Sequence, residues 1–291
     1  IYVNCGIDRA DVIITIGYNI VEYPPYVWNK GLDKKIINID FTEAEVDRYY
    51  DPDIEVIGDI SCSLRQLGEL ITERKNGDTF KSIREFLDRK LSLEFKKQYP
   101  LTPQQVVWHV RDVLAHEDIL SLDNGIYKLW FSRLYKTYRP NTFLLDNALA
   151  TMGAGLPAGI AARMIRPDRN VLAVVGDGGF MMNSRELETA LRYNVPLVVL
   201  VLNDNAFGFI KWEQQAKGYP CFGLDYGNPD FVKYAESYGA VGIKVQDGDD
   251  LSELLRNAFA MKTVVLIECP IDYSVNYEMF SQELANIVCE R

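Results

Sequence analysis

Residues 171–208 read VLAVVGDGGFMMNSRELETALRYNVPLVVLVLNDNAFG. Val171–Val175 is an unbroken apolar run, the pattern of a buried strand. Gly176-Asp177-Gly178-Gly179 breaks that run. Leu187, Ala190 and Leu191 then recur on one helical face, with Asn183 or Ser184 as N-cap and Pro196 as the stop. Leu197–Leu202 is a second buried strand, and it runs into Asn203-Asp204-Asn205. Strand, Gly-rich turn, helix, strand and polar turn make a βαβ crossover. Such a crossover puts both turns at the carboxyl edge of a parallel sheet, where open α/β folds bind ligands.

Two carboxylates among glycines and amides at one sheet edge call for a chemical reason. Glycines let backbone N–H groups approach an anion closely, and the start of the next helix adds favourable partial charge. A phosphate suits that turn, but Asp177 repels it. A divalent cation between the two removes the conflict, because Asp177, Asp204 and a nearby backbone carbonyl are hard oxygen donors of the kind Mg²⁺ takes alongside phosphate oxygens. The segment therefore reads as a Mg²⁺–diphosphate site. Taken singly, each piece also fits an ordinary turn, a loop or a helix cap. The two acidic turns at the two ends of one crossover favour the site.

The same residues carry a resemblance. Gly176-Asp177-Gly178 followed by Asn203-Asp204-Asn205 resembles, in spacing, the cofactor motif of thiamine-diphosphate enzymes. Ala150–Pro157, ATMGAGLP, is similar to a segment of the acetolactate synthases. Gly17–Tyr23, with Trp28-Asn29, and Pro270–Ser274 resemble that group's catabolic, flavin-independent branch. The resemblance runs from about Ala10 to Asn276.

It implies thiamine diphosphate and Mg²⁺ as cofactors, with the metal on Asp177, Asp204 and the Ala206 carbonyl. Cofactor contacts are implied for Asn124, Gly125, Tyr127, Met152, Gly176, Asp177, Gly178, Gly179, Asp204, Ala206, Phe207 and Gly208. Met152 is the wedge that keeps the cofactor bent. Anabolic members carry Gly-Gln-His where this chain has Gly125-Ile126-Tyr127, so diphosphate contact and simple packing both stand for Tyr127. Most relatives carry Asn where Asp204 stands.

The implied reaction condenses two pyruvates to 2-acetolactate and CO₂, in a homodimer or homotetramer. The family's activating glutamate belongs to an N-terminal domain and acts across a dimer interface. Residues 1–291 are therefore expected to be a cofactor-binding portion, a fragment or a subunit, inactive alone. Two other readings are another thiamine-diphosphate decarboxylase or carboligase acting on a 2-oxo acid, and a non-catalytic cofactor-binding subunit of a split enzyme.

A chain of 291 residues, 48% apolar, allows about two domains. The net charge of −10, with no basic stripe, argues against nucleic acid or an acidic membrane as partner. No apolar run approaches the length of a membrane span, and the start lacks a basic leader pattern. The five cysteines (Cys5, Cys62, Cys221, Cys269, Cys289) show no CxxC spacing, which reads as reduced thiols in a cytoplasmic protein. His109 and His116 are too few for a zinc site and read as packing or surface residues.

The expected fold class is α/β: a doubly wound parallel sheet, the thiamine-diphosphate-binding domain, preceded by part of a second α/β domain. Residues 1–74 read as the C-terminal part of a central α/β domain. Its strands are Val12–Ile16, Lys35–Ile39 and Ile54–Ile57, with a short helix from about Glu43 and another at Ile60–Ile71. No GxGxxG follows these strands, and no arginine-rich segment follows Gly17, which argues against bound FAD or NAD. Residues 75–100 read as a linker and connecting helix, and 101–291 as the cofactor domain with a tail helix at Gln282–Arg291. Within that domain Thr102 caps a helix opened by Pro103. Strands are expected at Ile119–Leu122, Phe143–Leu145, Val241–Val245 and Val264–Glu268. Helices are expected at Ala158–Met164, Phe209–Ala216, Asp230–Tyr238 and Asp250–Ala260. The turn-rich loop Gly218–Asn228 reads equally as a cover for the site or as plain surface.

Overall fold

A computed structural model describes residues 4–21, 23–73, 80–90, 97–147, 149–276 and 279–280. They fall into two compact units, drawn from residues 1–92 and 93–285. The tail helix at 282–291 and parts of the 75–100 connection lie outside the described residues.

The first unit holds α1 (Asn4–Arg9), β1 (Val12–Ile16), β2 (Lys35–Asp40), β3 (Ile54–Ile57), α2 (Ile60–Leu70) and α3 (Lys81–Lys90). The strands form a parallel sheet in the order β1-β2-β3. Trp28, Ile36 and Tyr50 make a small core beneath it. Asp59 caps α2, its carboxylate accepting from the Cys62 amide at 2.7 Å. The short helix expected near Glu43 does not form. The Ala44 amide instead donates to Glu55 on β3 at 2.7 Å, and Asp47 pairs with Tyr50, so local backbone groups bond to neighbours instead of to each other.

The second unit contains α4 (Pro103–Val113), β4 (Ile119–Leu122), α5 (Ile126–Leu134), β5 (Phe143–Leu145), α6 (Gly155–Ile165), β6 (Val171–Gly176), α7 (Asp177–Asn183) and α8 (Glu186–Arg192). It continues with β7 (Val198–Asn203), α9 (Gly208–Ala216), α10 (Phe231–Tyr238), β8 (Val241–Lys244), α11 (Leu251–Ala260) and β9 (Val265–Pro270). All six strands are parallel, in the order β5-β4-β6-β7-β9-β8. The chain moves outward one way from β4 to β5 and the other way from β6 to β7, so the order reverses between β4 and β6. That reversal opens a crevice at the carboxyl ends of those two strands.

Both faces of the sheet are covered. Leu172 and Val174 pack with Val106 of α4, Trp130 of α5 and Leu255 of α11. Val171, Ala173 and Val175 pack on the opposite side with Leu156 of α6, Leu187 of α8 and Phe231 of α10. Each fully buried Val, Leu or Phe contributes about 1.5–3 kcal/mol relative to exposure. Gly159 lets α6 lie close to the sheet, since a Cβ there would sit 3.2 Å from that of Ala173. Thr102 and Gln105 form a reciprocal capping box on α4, with Pro103 in the first turn.

One boundary differs from expectation at the central crossover. The helix after β6 begins at Asp177, with Gly176 in extended conformation at its cap position. Ser184 is helical, at φ −57°, and cannot serve as an N-cap; its hydroxyl pairs with that of Tyr234 at 2.8 Å. Asn183 donates from its side chain to the Gly153 carbonyl at 2.8 Å. The expectation of uniformly reduced cysteines is corrected at Cys5, which is disulfide-bonded, while Cys62, Cys221 and Cys269 are free thiols. Cysteine count and spacing do not report which sulfurs meet in space. Among the described residues, no helix is long and apolar enough to cross a membrane.

Candidate functional site

The turns that leave β4, β6 and β7 converge on one cavity of about 290 Å³. All twelve residues expected at a cofactor site line it: Asn124, Gly125, Tyr127, Met152, Gly176, Asp177, Gly178, Gly179, Asp204, Ala206, Phe207 and Gly208. The sheet topology explains the convergence, because the β4 and β6 turns flank the point where strand order reverses and β7 lies next to β6.

Asp177 is 1% exposed. Its Oδ1 accepts from the Gly178 amide at 2.9 Å and from the Tyr226 hydroxyl at 3.0 Å, and its Oδ2 accepts from the Asn228 side chain at 2.7 Å. Burial pushes its carboxyl above the usual range, and these hydrogen bonds pull it back. Burial pushes the Asp204 carboxyl up to about 7, and the charge of Asp177 adds to the rise. Asn205 takes the left-handed conformation at φ 53°, which Asn tolerates, and so swings the chain round to Ala206. The Ala206 carbonyl lies 3.3 Å from the Tyr226 hydroxyl. A Cβ on Gly208 would come 2.7 Å from Asp204 Oδ2, so any larger residue there has to displace that carboxylate.

Asn124 and Tyr127 line the cavity and also tie its walls together. The Asn124 side chain donates to the Thr151 carbonyl at 2.7 Å and accepts from Lys128 Nζ at 3.0 Å. The Gly176 amide donates to Tyr127 Oη at 2.9 Å. The Tyr127 ring fills the space beside two glycines, 2.5 Å from where a Gly125 Cβ would be and 2.9 Å from that of Gly176. Tyr127 therefore packs and presents an oxygen at once. Burial raises its hydroxyl well above the ordinary value, so it stays protonated.

Four further residues of the site were not singled out by sequence. Asp123 is fully buried and accepts from the Gly153 and Ala154 amides at 3.0 Å each and from Gly155 at 3.4 Å, which fixes the loop bearing Met152. Tyr226 and Asn228 reach Asp177 from a loop that sequence read only as cover or surface. Tyr273 also lines the cavity, and its buried hydroxyl has no hydrogen-bond partner among the described residues. Only Asp123 carried a signal, an acid directly after a buried strand at the sheet's carboxyl edge.

The family described as "Thiamine pyrophosphate enzyme, C-terminal TPP binding domain" matches residues 123–269, half of the chain. The chain belongs to the thiamine pyrophosphate enzyme family. Similar members include the acetolactate synthase of Bacillus subtilis, 34% identical over 96% of this chain and 50% of the relative. The catabolic acetolactate synthase of Raoultella terrigena is 34% identical over 94% of this chain and 50% of the relative. The probable acetolactate synthase large subunit of Methanococcus aeolicus is 29% identical over 98% and 51%. The chain thus spans about half the length of these relatives.

The cavity fits a thiamine pyrophosphate enzyme on its own chemistry. Asp177 and Asp204 line the same cavity, the charge of Asp177 adds to the raised Asp204 carboxyl, the Ala206 backbone lines it too, and glycines leave the approach open. Among the described residues no three His, Cys, Asp or Glu side chains gather as a metal group. Asp177, Asp204 and the Ala206 carbonyl are hard oxygen donors that could hold a divalent cation whose remaining ligands are phosphate and water oxygens.

Proposed function

We propose that this chain is the diphosphate-binding part of an acetolactate synthase, which joins two pyruvates into 2-acetolactate and releases CO₂. The observation that carries the reading is the meeting of Asp177, Asp204 and Ala206 around one glycine-walled cavity at the strand-order reversal. The printed names of its relatives support the choice of reaction within the family.

On this reading Asp177, Asp204 and the Ala206 carbonyl hold Mg²⁺. When bound, thiamine diphosphate supplies the ring that accepts the electron pair left by departing CO₂. The Gly176–Gly179 turn and Gly208 keep side chains out of the diphosphate's place. Asn124, Gly125, Tyr127 and Phe207 shape the surrounding wall. Met152, held by the loop that Asp123 anchors, stands as the wedge under the cofactor. Residues 1–74 act as a structural spacer, 75–100 connect, and 101–291 form the cofactor domain.

On this reading the activating glutamate belongs to an N-terminal domain and acts across the interface of a cytoplasmic homodimer or homotetramer, and residues 1–291 alone are inactive. The test is product analysis of the full-length protein with pyruvate, thiamine diphosphate and Mg²⁺, alongside residues 1–291. Acetolactate from the former only is expected. A different product moves the assignment to another 2-oxo-acid decarboxylase or carboligase, and turnover by residues 1–291 alone refutes the division of labour.

A further inference from the structure

The Tyr226 hydroxyl lies between two oxygens that belong to different turns. It donates to Asp177 Oδ1 at 3.0 Å, after β6, and stands 3.3 Å from the Ala206 carbonyl oxygen, after β7. One O–H carries one proton, so the two acceptors share it. Asn228 completes the arrangement: its Nδ2 donates to Asp177 Oδ2 at 2.7 Å and reaches the side-chain oxygens of Asn203 and Asn205 at 3.1 Å each. An ionised carboxylate offers about four lone-pair directions. Gly178, Tyr226 and Asn228 account for three on Asp177, and the Asn205 backbone also acts on it.

The segment that carries these groups is fastened to the turn it serves. The Tyr226 amide donates to the Asn205 carbonyl at 3.1 Å, and the Phe207 amide donates to the Leu224 carbonyl at 3.0 Å. The Tyr226 and Phe207 rings pack with centroids 4.9 Å apart. Gly178 is shaped to the same hydroxyl, since a Cβ there would stand 2.6 Å from Tyr226 Oη. This pairing fixes the segment that carries Tyr226 beside the 203–208 turn, and the contact with the Phe207 ring holds the side chain against it, so the fold places the hydroxyl at the turn.

We propose that Tyr226 and Asn228 are positioning residues that aim the Asp177 carboxylate and the Ala206 carbonyl at one cation. The inference rests on the reading of this cavity as a Mg²⁺–diphosphate site. It assigns the loop's two polar groups a role in cation affinity, and it fixes the sign of their removal. A positioning hydroxyl holds the ligands ready, so losing it weakens cation binding. A plug would compete with the cation, so losing it would strengthen binding.

The experiment is a Mn²⁺ titration of the full-length protein, followed by electron paramagnetic resonance, with thiamine diphosphate in excess. Tyr226→Phe keeps the ring and removes one hydroxyl. It is expected to weaken Mn²⁺ binding by about tenfold, the scale of losing a group that orients a metal ligand. Asn228→Ala is expected to weaken it similarly, and serves if Tyr226→Phe does not fold. The double variant should lose less than the product of the two, because both act through Asp177. Equal or tighter Mn²⁺ binding by Tyr226→Phe overturns the proposal, as does a lower melting temperature without metal at unchanged Mn²⁺ affinity. If the unaltered protein shows no cofactor-dependent Mn²⁺ binding, the site reading itself fails and takes the proposal with it.

Discussion

The Asp123 carboxylate accepts a hydrogen bond from the Gly153 amide at 3.0 Å, joining the end of β4 to a loop thirty residues further along the chain. Ala154 and Gly155 bond the same carboxylate. Asparagine has the same shape but turns one acceptor into a donor, which then faces backbone N–H groups. Leaving such a buried group unsatisfied costs about 1–3 kcal/mol. Asp123→Asn is therefore expected to lower the melting temperature by roughly 4–8 °C at the middle of that range. It should also weaken cofactor binding through the released Met152 loop. An unchanged melting curve would show that the loop is held by other means.

The strands and the crossover were legible in sequence because their signals are local. Val171–Val175, Ile119–Leu122 and Phe143–Leu145 are short apolar runs bounded by polar turns, and the observed strands keep those bounds to within a residue. Thr102-Pro103 marked a helix start for the same reason. The helix beginning at Asp177 was hidden, because Gly178 and Gly179 look like breakers. Their real constraint is space: a Cβ on Gly179 would sit 2.1 Å from Asp123 Oδ2, a contact no local pattern encodes. Asn228 meets Asp177 across 51 residues of chain, and Tyr226 meets it across 49. Spacing rules stop at the next turn, so such partners appear only when the sheet brings them together.

Asp177 and Asp204 are expected to respond differently to the same substitution. Asp177→Asn removes a charge that three donors surround and that the cation needs. Cation-dependent cofactor binding should fall by more than the roughly 10–100-fold typical of losing an orienting group. Asp204→Asn keeps a hard oxygen and removes the repulsion that Asp177 exerts on it. Without metal that variant should melt higher than the unaltered protein, while its cation binding changes only modestly. Calorimetric titration with thiamine diphosphate and Mg²⁺, beside melting in chelator, measures both. Equal losses from the two variants would count against the division drawn here.

His109 supplies a pH test away from the cavity. Its Nδ1 lies 2.8 Å from the Ser252 hydroxyl, in a buried contact between α4 and α11. Burial holds its pKa below the usual 6.5, and nearby Asp250 only partly offsets that. A histidine with a lowered folded pKa takes up its proton in the unfolded chain first. Stability is therefore undiminished by this group above pH 6.5 and is lost as pH falls through that value towards the folded pKa. His109→Gln should flatten that part of the profile. Melting curves of both proteins across this window compare the slopes, and identical slopes would remove His109 as the cause.

Gly208→Ala separates folding from cation binding. Gly208 is the first residue of α9, and alanine is the better helix former, so the helix itself should not lose by the change. The added Cβ would stand 2.7 Å from Asp204 Oδ2 and 3.4 Å from the Ile126 side chain. The nearer clash is with the Asp204 carboxylate, which should turn away from the cavity to make room. The expected result is an unchanged or higher melting temperature without metal, together with cation affinity weakened at least about tenfold. Mn²⁺ binding and thermal melting on the same samples decide it. A variant that melts earlier but binds Mn²⁺ normally would mean that α9 moved and Asp204 did not, and Gly208 would then matter to the helix start instead of to the carboxylate.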